Sequence, residues 1–445
     1  MTSRNWFRVH SFTGVITGLL LFVICWTGTF ATLSREIDWL VTPEARVEVG
    51  AEVLGWEKLL DTVTAVYQVE AIHSLTPPLY ANSAAEILVD LPNQRFVRIY
   101  VDPYTAELRG ALSAVNLQRI FRDLHRRLFI PGSAGVLLVS AFGLFLLISM
   151  ITPLVFYKRW WRRFFVFRAG SLRAIWSELH KLSGLWSLWF VLIIAVTGIW
   201  YGVEALKLLP TVKGPPPAAE VEASLPLDEL LGMAAATRPD LRFRSVVPPG
   251  GRFGGALYVE GQAQSLLVRD RANHVLVNAA DGSVLHSYTA GDAGVYVRLT
   301  NTMDPLHFGD FAGLVSKAVW FLFGLILSGL GLTGAYLHVL RLRRAAGRPS
   351  RVKWPGMTPA LLGSIAVVAA TFPLGYLRYQ VAGPVVEGVR QLPDLAPGVV
   401  AFLWVWTAVT LTILIAWLLL LWFPRAAEGS SRSEDSTDLG CRTVE

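Results

Sequence analysis

Cysteine is almost missing from this chain of 445 residues: Cys25 lies in an apolar run and Cys441 in a polar tail. Two thiols at such different depths make no structural disulfide. No Cys-x-x-Cys-His occurs for covalent c-type haem, and no Cys cluster for an iron–sulfur centre or structural zinc. Charge is scarce as well, at 16% against roughly 25% in ordinary globular domains. With 53% apolar residues, that balance excludes disorder, collagen and a secreted disulfide scaffold. A nucleotide-binding fingerprint in a working context is also absent, because Gly250-Gly-Arg-Phe-Gly-Gly255 lacks the strand-to-helix setting that would aim it at a phosphate.

What is present is six long apolar blocks, Ser11–Leu33, Ala134–Phe156, Leu182–Glu204, Phe311–His338, Pro359–Leu377 and Val400–Trp422, whose only charges are Glu204 and Lys317. About 20 residues cross a bilayer, so each block reads as a transmembrane helix and the lipid bilayer is the first partner. Lys158, Arg159, Arg162, Arg163, Arg168, Arg173 and Lys181 follow block two, and Arg341, Arg343, Arg344, Arg348, Arg351 and Lys353 follow block four. Short basic loops stay inside. The two long connections are near neutral, with 10 basic against 13 acidic residues (35–132) and 9 against 11 (205–310), and read as outside. Both termini are then cytoplasmic. The first block is not a cleavable signal, since no small-residue cleavage site follows it. The net charge of +7 sits at membrane flanks, so no nucleic-acid partner is expected.

The chain also resembles itself. His10-Ser-Phe-Thr-Gly14 and Thr27-Gly28 recur as His180-Lys-Leu-Ser-Gly184 and Thr197-Gly198 at an offset of 170. Leu124-His125, Phe142-Gly143 and Thr152 recur as Leu306-His307, Phe323-Gly324 and Thr333 at offsets of 182 and then 181. The fold expected is a membrane all-α bundle of six transmembrane helices with a duplicated helix-loop-helix unit and two outer α+β modules. Helices are expected at Trp56–Val66 and Leu227–Ala236, and strands at 87–90, 97–101, 245–247, 256–260 and 275–278. The divisions are the N-terminus and first span (1–33), module one (34–133), spans two and three with their basic loop (134–204), module two (205–310), span four (311–338), a second basic loop (339–358), spans five and six (359–422), and a disordered tail (423–445).

Histidines decide the functional reading. His10 and His180 stand at the inner ends of spans one and three, His125 and His307 before the outer ends of spans two and four, and His338 at the inner end of span four. One such histidine is more often a helix cap or interfacial residue, but two pairs recurring in two repeats, one pair near each face, are what two stacked bis-histidine b haems require. Neutral imidazole is a good axial ligand of haem iron. A divalent metal fits less well, because catalytic metal sites usually add carboxylates or gather on one side. Gly14, Gly18, Gly135, Gly143, Gly184, Gly313 and Gly324 offer room on the same helices, or merely helix packing. Arg126, Arg127, Lys181 and Arg8 are the cations placed to meet propionates, or snorkelling anchors. His338 stands as an alternative inner ligand to His10 or His180. His73, His274 and His286 read as surface residues of the outer modules. No residue pattern suggests a general acid, base or nucleophile.

These motifs, from Asn5 to about Arg344, resemble the PepSY-associated transmembrane family, with Asp304-Pro-Leu-His307-Phe-Gly-Asp-Phe-Ala-Gly313 the most specific stretch. The resemblance implies that the outer modules are PepSY-like and periplasmic, with Val101-Asp102-Pro103 and Val277-Asn278 as their closing turns. It further implies a bacterial inner-membrane location. Members of that family include reductases of ferric siderophores holding two b-type haems, which map onto His10, His125, His180 and His307. The activity implied is a haem-dependent ferric-chelate reductase that takes electrons from a cytoplasmic or membrane donor and releases ferrous iron in the periplasm. A non-enzymatic PepSY-type sensor or protease regulator, and an iron-chelate permease, are the alternatives. Spans five and six fall outside the resemblance.

Overall fold

The computed structural model describes residues 2–168, 170–209, 214–219, 224–263, 267–345 and 357–422. The expected tail (423–445), Cys441, and the loop cations Arg348, Arg351 and Lys353 lie outside the described residues. The chain opens with α1 (Ser3–Thr32), whose first turn is capped by the Thr2 side chain, and α2 (Ser34–Val41). An extramembrane segment follows: α3 (Trp56–Val66), β1 (Ala71–Thr76), β2 (Ala85–Leu91), β3 (Gln94–Val101), β4 (Leu108–Ser113) and α4 (Leu117–Arg127). Then comes α5 (Gly132–Phe156).

The second half runs in the same order. It comprises α6 (Leu172–Trp186), α7 (Leu188–Ala205), α8 (Leu227–Thr237), β5 (Arg242–Val247), β6 (Ala256–Gln262), β7 (Asn273–Asn278), β8 (Val284–Tyr288), α9 (Val295–Phe308) and α10 (Gly313–Ala345). The chain closes with α11 (Met357–Gln380), the short hairpin β9 (Val385–Val386) and β10 (Val389–Arg390), and α12 (Pro397–Trp422). Among the described residues six helices, α1, α5, α7, α10, α11 and α12, are long and apolar enough to cross a membrane. The third apolar block is not one helix. Ser187 (φ −90°, ψ 0°) breaks it, so His180 rides on α6 and Thr197 on α7.

The two outer modules are likewise not separate. Their strands form one eight-stranded antiparallel sheet in the order β4-β3-β2-β1-β5-β6-β7-β8, joined where Leu75 of β1 lies opposite Val246 of β5. Each four-stranded half alone would leave β1 or β5 as an open edge of unpaired amides and carbonyls, and pairing the two edges removes that liability. One face carries the core: Leu59 and Val63 of α3 and Leu230 and Ala234 of α8 pack on Ile87, Ile99, Val259 and Val275. The two helices also exchange N-terminal caps. Asp228 accepts from the amides of Trp56 and Glu57 at 2.8 and 3.2 Å, and Glu57 accepts from the Leu227 amide at 3.1 Å. Free amides at a helix start take a carboxylate well, so the same bonds staple one half of the sheet domain to the other.

Two further joints matter for the site. Asp38 of α2 accepts from the Leu117 and Gln118 amides at 2.8 and 2.9 Å, fixing the start of α4. At the other end of α4, Leu128 (φ 49°) and Phe129 (φ 57°) are left-handed and turn the chain into α5. Gly309 (φ 69°) ends α9 in the same way, at no steric cost.

Candidate functional site

Four of the five histidines singled out by sequence meet in two pairs. His125 on α4 and His307 on α9 have ring centres 5.8 Å apart, and His10 on α1 and His180 on α6 have ring centres 6.4 Å apart. The pairs line different cavities: His125 and His307 one of about 250 Å³ that Arg269 of the sheet domain reaches, here the outer cavity, and His10 and His180 one of about 350 Å³ at the other end of α1, here the inner cavity. The pairs stand towards opposite ends of α1, His10 being 14 and 18 residues before Ile24 and Gly28, which touch His125, roughly 20–27 Å of helix, while Leu21, Leu146 and Leu327 between them line both cavities.

The hydrogen bonds fix how each ring presents itself. His307 Nδ1 lies 2.7 Å from Thr197 Oγ1, His10 Nδ1 3.2 Å from Thr152 Oγ1, and His180 Nδ1 2.9 Å from Thr333 Oγ1. Each of these hydroxyls already donates its single proton one turn back, to the carbonyls of Ile193, Ile148 and Gly329. The hydroxyl oxygen is therefore an acceptor, the imidazole Nδ1 carries the proton, and Nε2 keeps a bare lone pair. His125 reaches the same state by another route, because its Nδ1 donates to the Ile24 carbonyl at 2.8 Å. On α4 and α9, outside the six spans, burial pushes His125 below the ordinary imidazole range, opposed by that carbonyl. Burial, followed by the neighbouring His125, pushes His307 down to about 3. Both rings are neutral, the form that ligates a metal.

Glycine shapes the cavities. A Cβ on Gly14, Gly184 or Gly198 would meet nothing within 4 Å, so these lining positions present bare backbone to open space. A Cβ on Gly28 would lie 2.7 Å from the His125 ring. Gly143 and Gly324 also line the outer cavity, although a Cβ on them would meet Ala195 and Thr29 of neighbouring helices, and Gly18 sits at a helix contact against Gly331. Gly135 faces the Arg127 carbonyl and Gly313 starts α10 at φ 63°, so neither provides cavity room.

Cations cluster at both cavities, with membership that differs from the sequence expectation. Arg126 lines the outer cavity together with Arg122 and Arg269, and Lys181 lines the inner one together with Arg173 and Arg341; Arg127 and Arg8 line neither. Burial, then the like charge of Arg126, lowers the Arg122 pKa from its ordinary value. Asp304 is held by the Tyr201 hydroxyl at 2.7 Å and by Arg269 at 3.1 Å. Of the two intramembrane charges, Lys317 pairs with Glu36 at 2.7 Å, and Glu204 accepts from Trp200 and lies 3.6 Å from Arg269.

His338 lines the inner cavity but is bonded differently. Its Nδ1 lies 2.8 Å from Arg341 Nη2. Guanidinium only donates, so Nδ1 is the acceptor and the ring proton sits on Nε2. Neither nitrogen of neutral His338 has a free lone pair. His73 pairs with Asp90 at 2.9 Å in the sheet domain. His274, expected on the surface, is 7% exposed and stacks on Tyr288, because β7 is an inner strand of the fused sheet. Among the described residues no three His, Cys, Asp or Glu side chains gather as a metal cluster, which leaves paired imidazoles as the donor sets.

The threonines were visible in the sequence as repeat landmarks but not as partners of the histidines; the signal was there in Thr152 and Thr333 recurring with the His pairs. Comparison with known proteins follows the same frame. An uncharacterised protein of Pseudomonas aeruginosa is 29% identical over 256 residues, covering 52% of this chain and 65% of the relative, so the chain spans just under two thirds of that protein's length. The PepSY-associated TM region matches residues 7–341, a stretch holding all four paired histidines and both halves of the sheet. This multi-pass membrane protein belongs to the family of the PepSY-associated TM region.

Proposed function

We propose that the protein is a di-haem b reductase of the bacterial inner membrane that passes electrons outward to a ferric siderophore or other ferric chelate in the periplasm. The observation that carries this reading is the pair of neutral imidazoles, each with a bare Nε2, at each of two adjoining cavities. Two imidazoles could share one metal ion only where their rings face each other across a gap of a few ångströms that no other side chain fills. The observed ring-centre distances of 5.8 and 6.4 Å fit that arrangement. The flat cofactor also needs backbone without side chains, which Gly14, Gly184 and Gly198 offer, and cations for its propionates, for which Arg122 and Arg126 outside and Arg173, Lys181 and Arg341 inside are placed.

When bound, each haem supplies a one-electron redox centre. The chain holds the two centres with Leu21, Leu146 and Leu327 between their cavities, and Arg269 of the sheet domain reaches the outer one. One electron converts ferric to ferrous iron, which hard oxygen ligands hold far less tightly. The electron enters from a cytoplasmic or membrane donor at the inner cavity. Transfer needs proximity, so no general acid or nucleophile of the chain takes part. His338, with its lone pair committed to Arg341, is a hydrogen-bond donor at the inner site and not one of the ligands.

Purified protein from haem-replete cells should show the reduced α-band of low-spin bis-histidine haem and two haems per chain by pyridine assay. A colourless, folded preparation would overturn the reading. The activity has its own test: dithionite-reduced protein mixed anaerobically with a ferric siderophore and a ferrous trap should reoxidise and yield trapped ferrous iron. Haem that reduces but transfers to no ferric chelate, alongside peptide or protease binding by the protein, would favour the regulatory reading instead.

A further inference from the structure

The two outer histidine helices are tethered by the same chemistry from different parts of the chain. On α9, Asp304 stands three residues before His307 and is gripped by the Tyr201 hydroxyl at 2.7 Å and by Arg269 at 3.1 Å. On α4, Asp123 stands two residues before His125 and is gripped by Arg378 at 2.7 and 3.1 Å and by the Tyr379 hydroxyl at 3.2 Å. Each carboxylate thus meets one tyrosine and one arginine. In the second half both come from within residues 7–341 that define the family; in the first half both come from α11, beyond that stretch.

The repeat shows why the first half needs an outside supplier. Carrying Tyr201 back by the offset of 170 gives Ala31, and carrying Asp304 back by 182 gives Arg122, so the first half lacks both members of the Tyr201–Asp304 pair and Asp123 is a separate anchor. Alanine can donate no hydrogen bond, and the room it leaves is filled by Ala396 and Val399 at the start of α12, packed with Phe121 of α4. Trp406 of α12 meets the Phe121 ring at 5.1 Å, edge to face. In the turn after α4, Tyr379 meets the Phe129 ring at 5.7 Å, and Gly375 lets α11 come so close that an added Cβ would lie 3.1 Å from that ring. The α4 segment and the turn that follows it are therefore held by both of the last two membrane helices. His125 also lacks the threonine partner of the other three and depends on a single directional bond to the Ile24 carbonyl. A ring oriented by one backbone oxygen on a short helix is the one most exposed to drift of that helix.

We propose that α11 and α12 supply the clamp missing from the first half, and that Arg378 and Tyr379 are positioning residues for His125, acting through Asp123. This rests on the reading that His125 and His307 ligate the outer haem. The bidentate Arg378–Asp123 pair fixes the rotation of α4 as well as its position, which a lysine cannot do because an ammonium is a point charge without the fork geometry.

The test uses the full chain loaded with haem, with electron paramagnetic resonance and a potentiometric titration of each centre. Arg378→Ala should shift the low-spin signal and the midpoint of the outer haem and leave the inner haem as it was, so that the inner centre reports intact folding. Arg378→Lys should recover only part of the shift, and Tyr379→Phe should give a smaller shift of the same sign. If Arg378→Ala loses both haems, Arg378→Lys and Tyr379→Phe decide: a change confined to the outer centre upholds the clamp, and wild-type signals in both overturn it. An outer centre unchanged in Arg378→Ala also overturns it. Wild-type protein without an outer haem would instead overturn the reading on which the clamp rests.

Discussion

Thr197 Oγ1 lies 2.7 Å from His307 Nδ1 while giving its own proton to the Ile193 carbonyl. A residue that looks like a helix-packing threonine therefore sets the tautomer of a histidine on another helix. Ser and Thr in membrane helices commonly return their proton to the previous turn; here that habit turns the hydroxyl into an obligatory acceptor. Thr152 and Thr333 serve His10 and His180 in the same way.

Removing that acceptor should loosen the outer site without emptying it. Thr197→Val keeps the shape and loses the hydrogen bond, so haem affinity at the outer site should fall about 10–100-fold, the usual cost of losing such an orienting partner. Thr197→Ser should restore most of it. Haem titration of apoprotein, following the outer-site absorbance, measures both. Equal affinity in Thr197→Val and wild type would show that the threonine does not orient the ligand.

Much of this arrangement was legible in the sequence, for physical reasons. Length and apolar content dictate spans, so the six long helices fall on the six blocks apart from the break in the third, and the self-similarity at 170 and 182 picked out the histidines that meet in space. Strands with clean alternation, such as 97–101, were readable. β1 was not, because a bulge between Ile72 and Ser74 disrupts its period, and β4 and β8 are short, exposed-edge strands whose identity comes from pairing. The joining of β1 to β5 is a tertiary contact with no local signature. The break at Ser187 and the Asp123 clamp were hidden for the same reason: Arg378 is separated from Asp123 by 255 residues. His338 shares its residue type and depth with the histidines that meet in pairs, and its bond to Arg341 sets it apart from them.

Single substitutions should sort the histidines by face. His307→Ala should remove the outer haem and keep the inner one, and His180→Ala should do the reverse. His338→Ala should retain two haems per chain, with at most a shifted inner midpoint. Optical spectra with pyridine quantification read all three. Loss of the inner haem in His338→Ala, with retention in His10→Ala and His180→Ala, would mean that His338 is the inner ligand after all.

Two glycines permit a sharper test of what fills the outer cavity. Gly28→Ala would press a methyl to 2.7 Å from the His125 ring and should displace the ring even in apoprotein, lowering thermal stability as overpacking does, by about 1–3 kcal/mol. Gly198→Ala meets no atom of a neighbouring element within 4 Å, so apoprotein stability should not fall and should rise by up to about 1 kcal/mol from helix propensity. If the cavity holds a haem, the same methyl should weaken haem binding. Gly198→Ala with full haem affinity would mean that the cofactor does not lie against that face of α7.

The sheet domain should carry a pH dependence of its own, away from the paired histidines. His274 is pushed down to about 4, by burial first and by His286 next, with Arg238 adding to the effect and the rings of Tyr258 and Tyr288 packed against it. Its Nε2 is buried without a partner, and Glu260 stands opposite it in the β6–β7 register. Because the folded value lies below that of the free side chain, near 6.5, the unfolded chain binds the extra proton first as pH falls. The contribution is complete above pH 6.5 and is lost through the window down to about 4, with a slope of at most about 1.4 kcal/mol per pH unit. Hydrogen exchange of β7 should therefore accelerate between pH 6.5 and 4 in wild type, and this dependence should flatten in His274→Leu. An equally steep dependence in the variant would place the sensitivity elsewhere in the sheet.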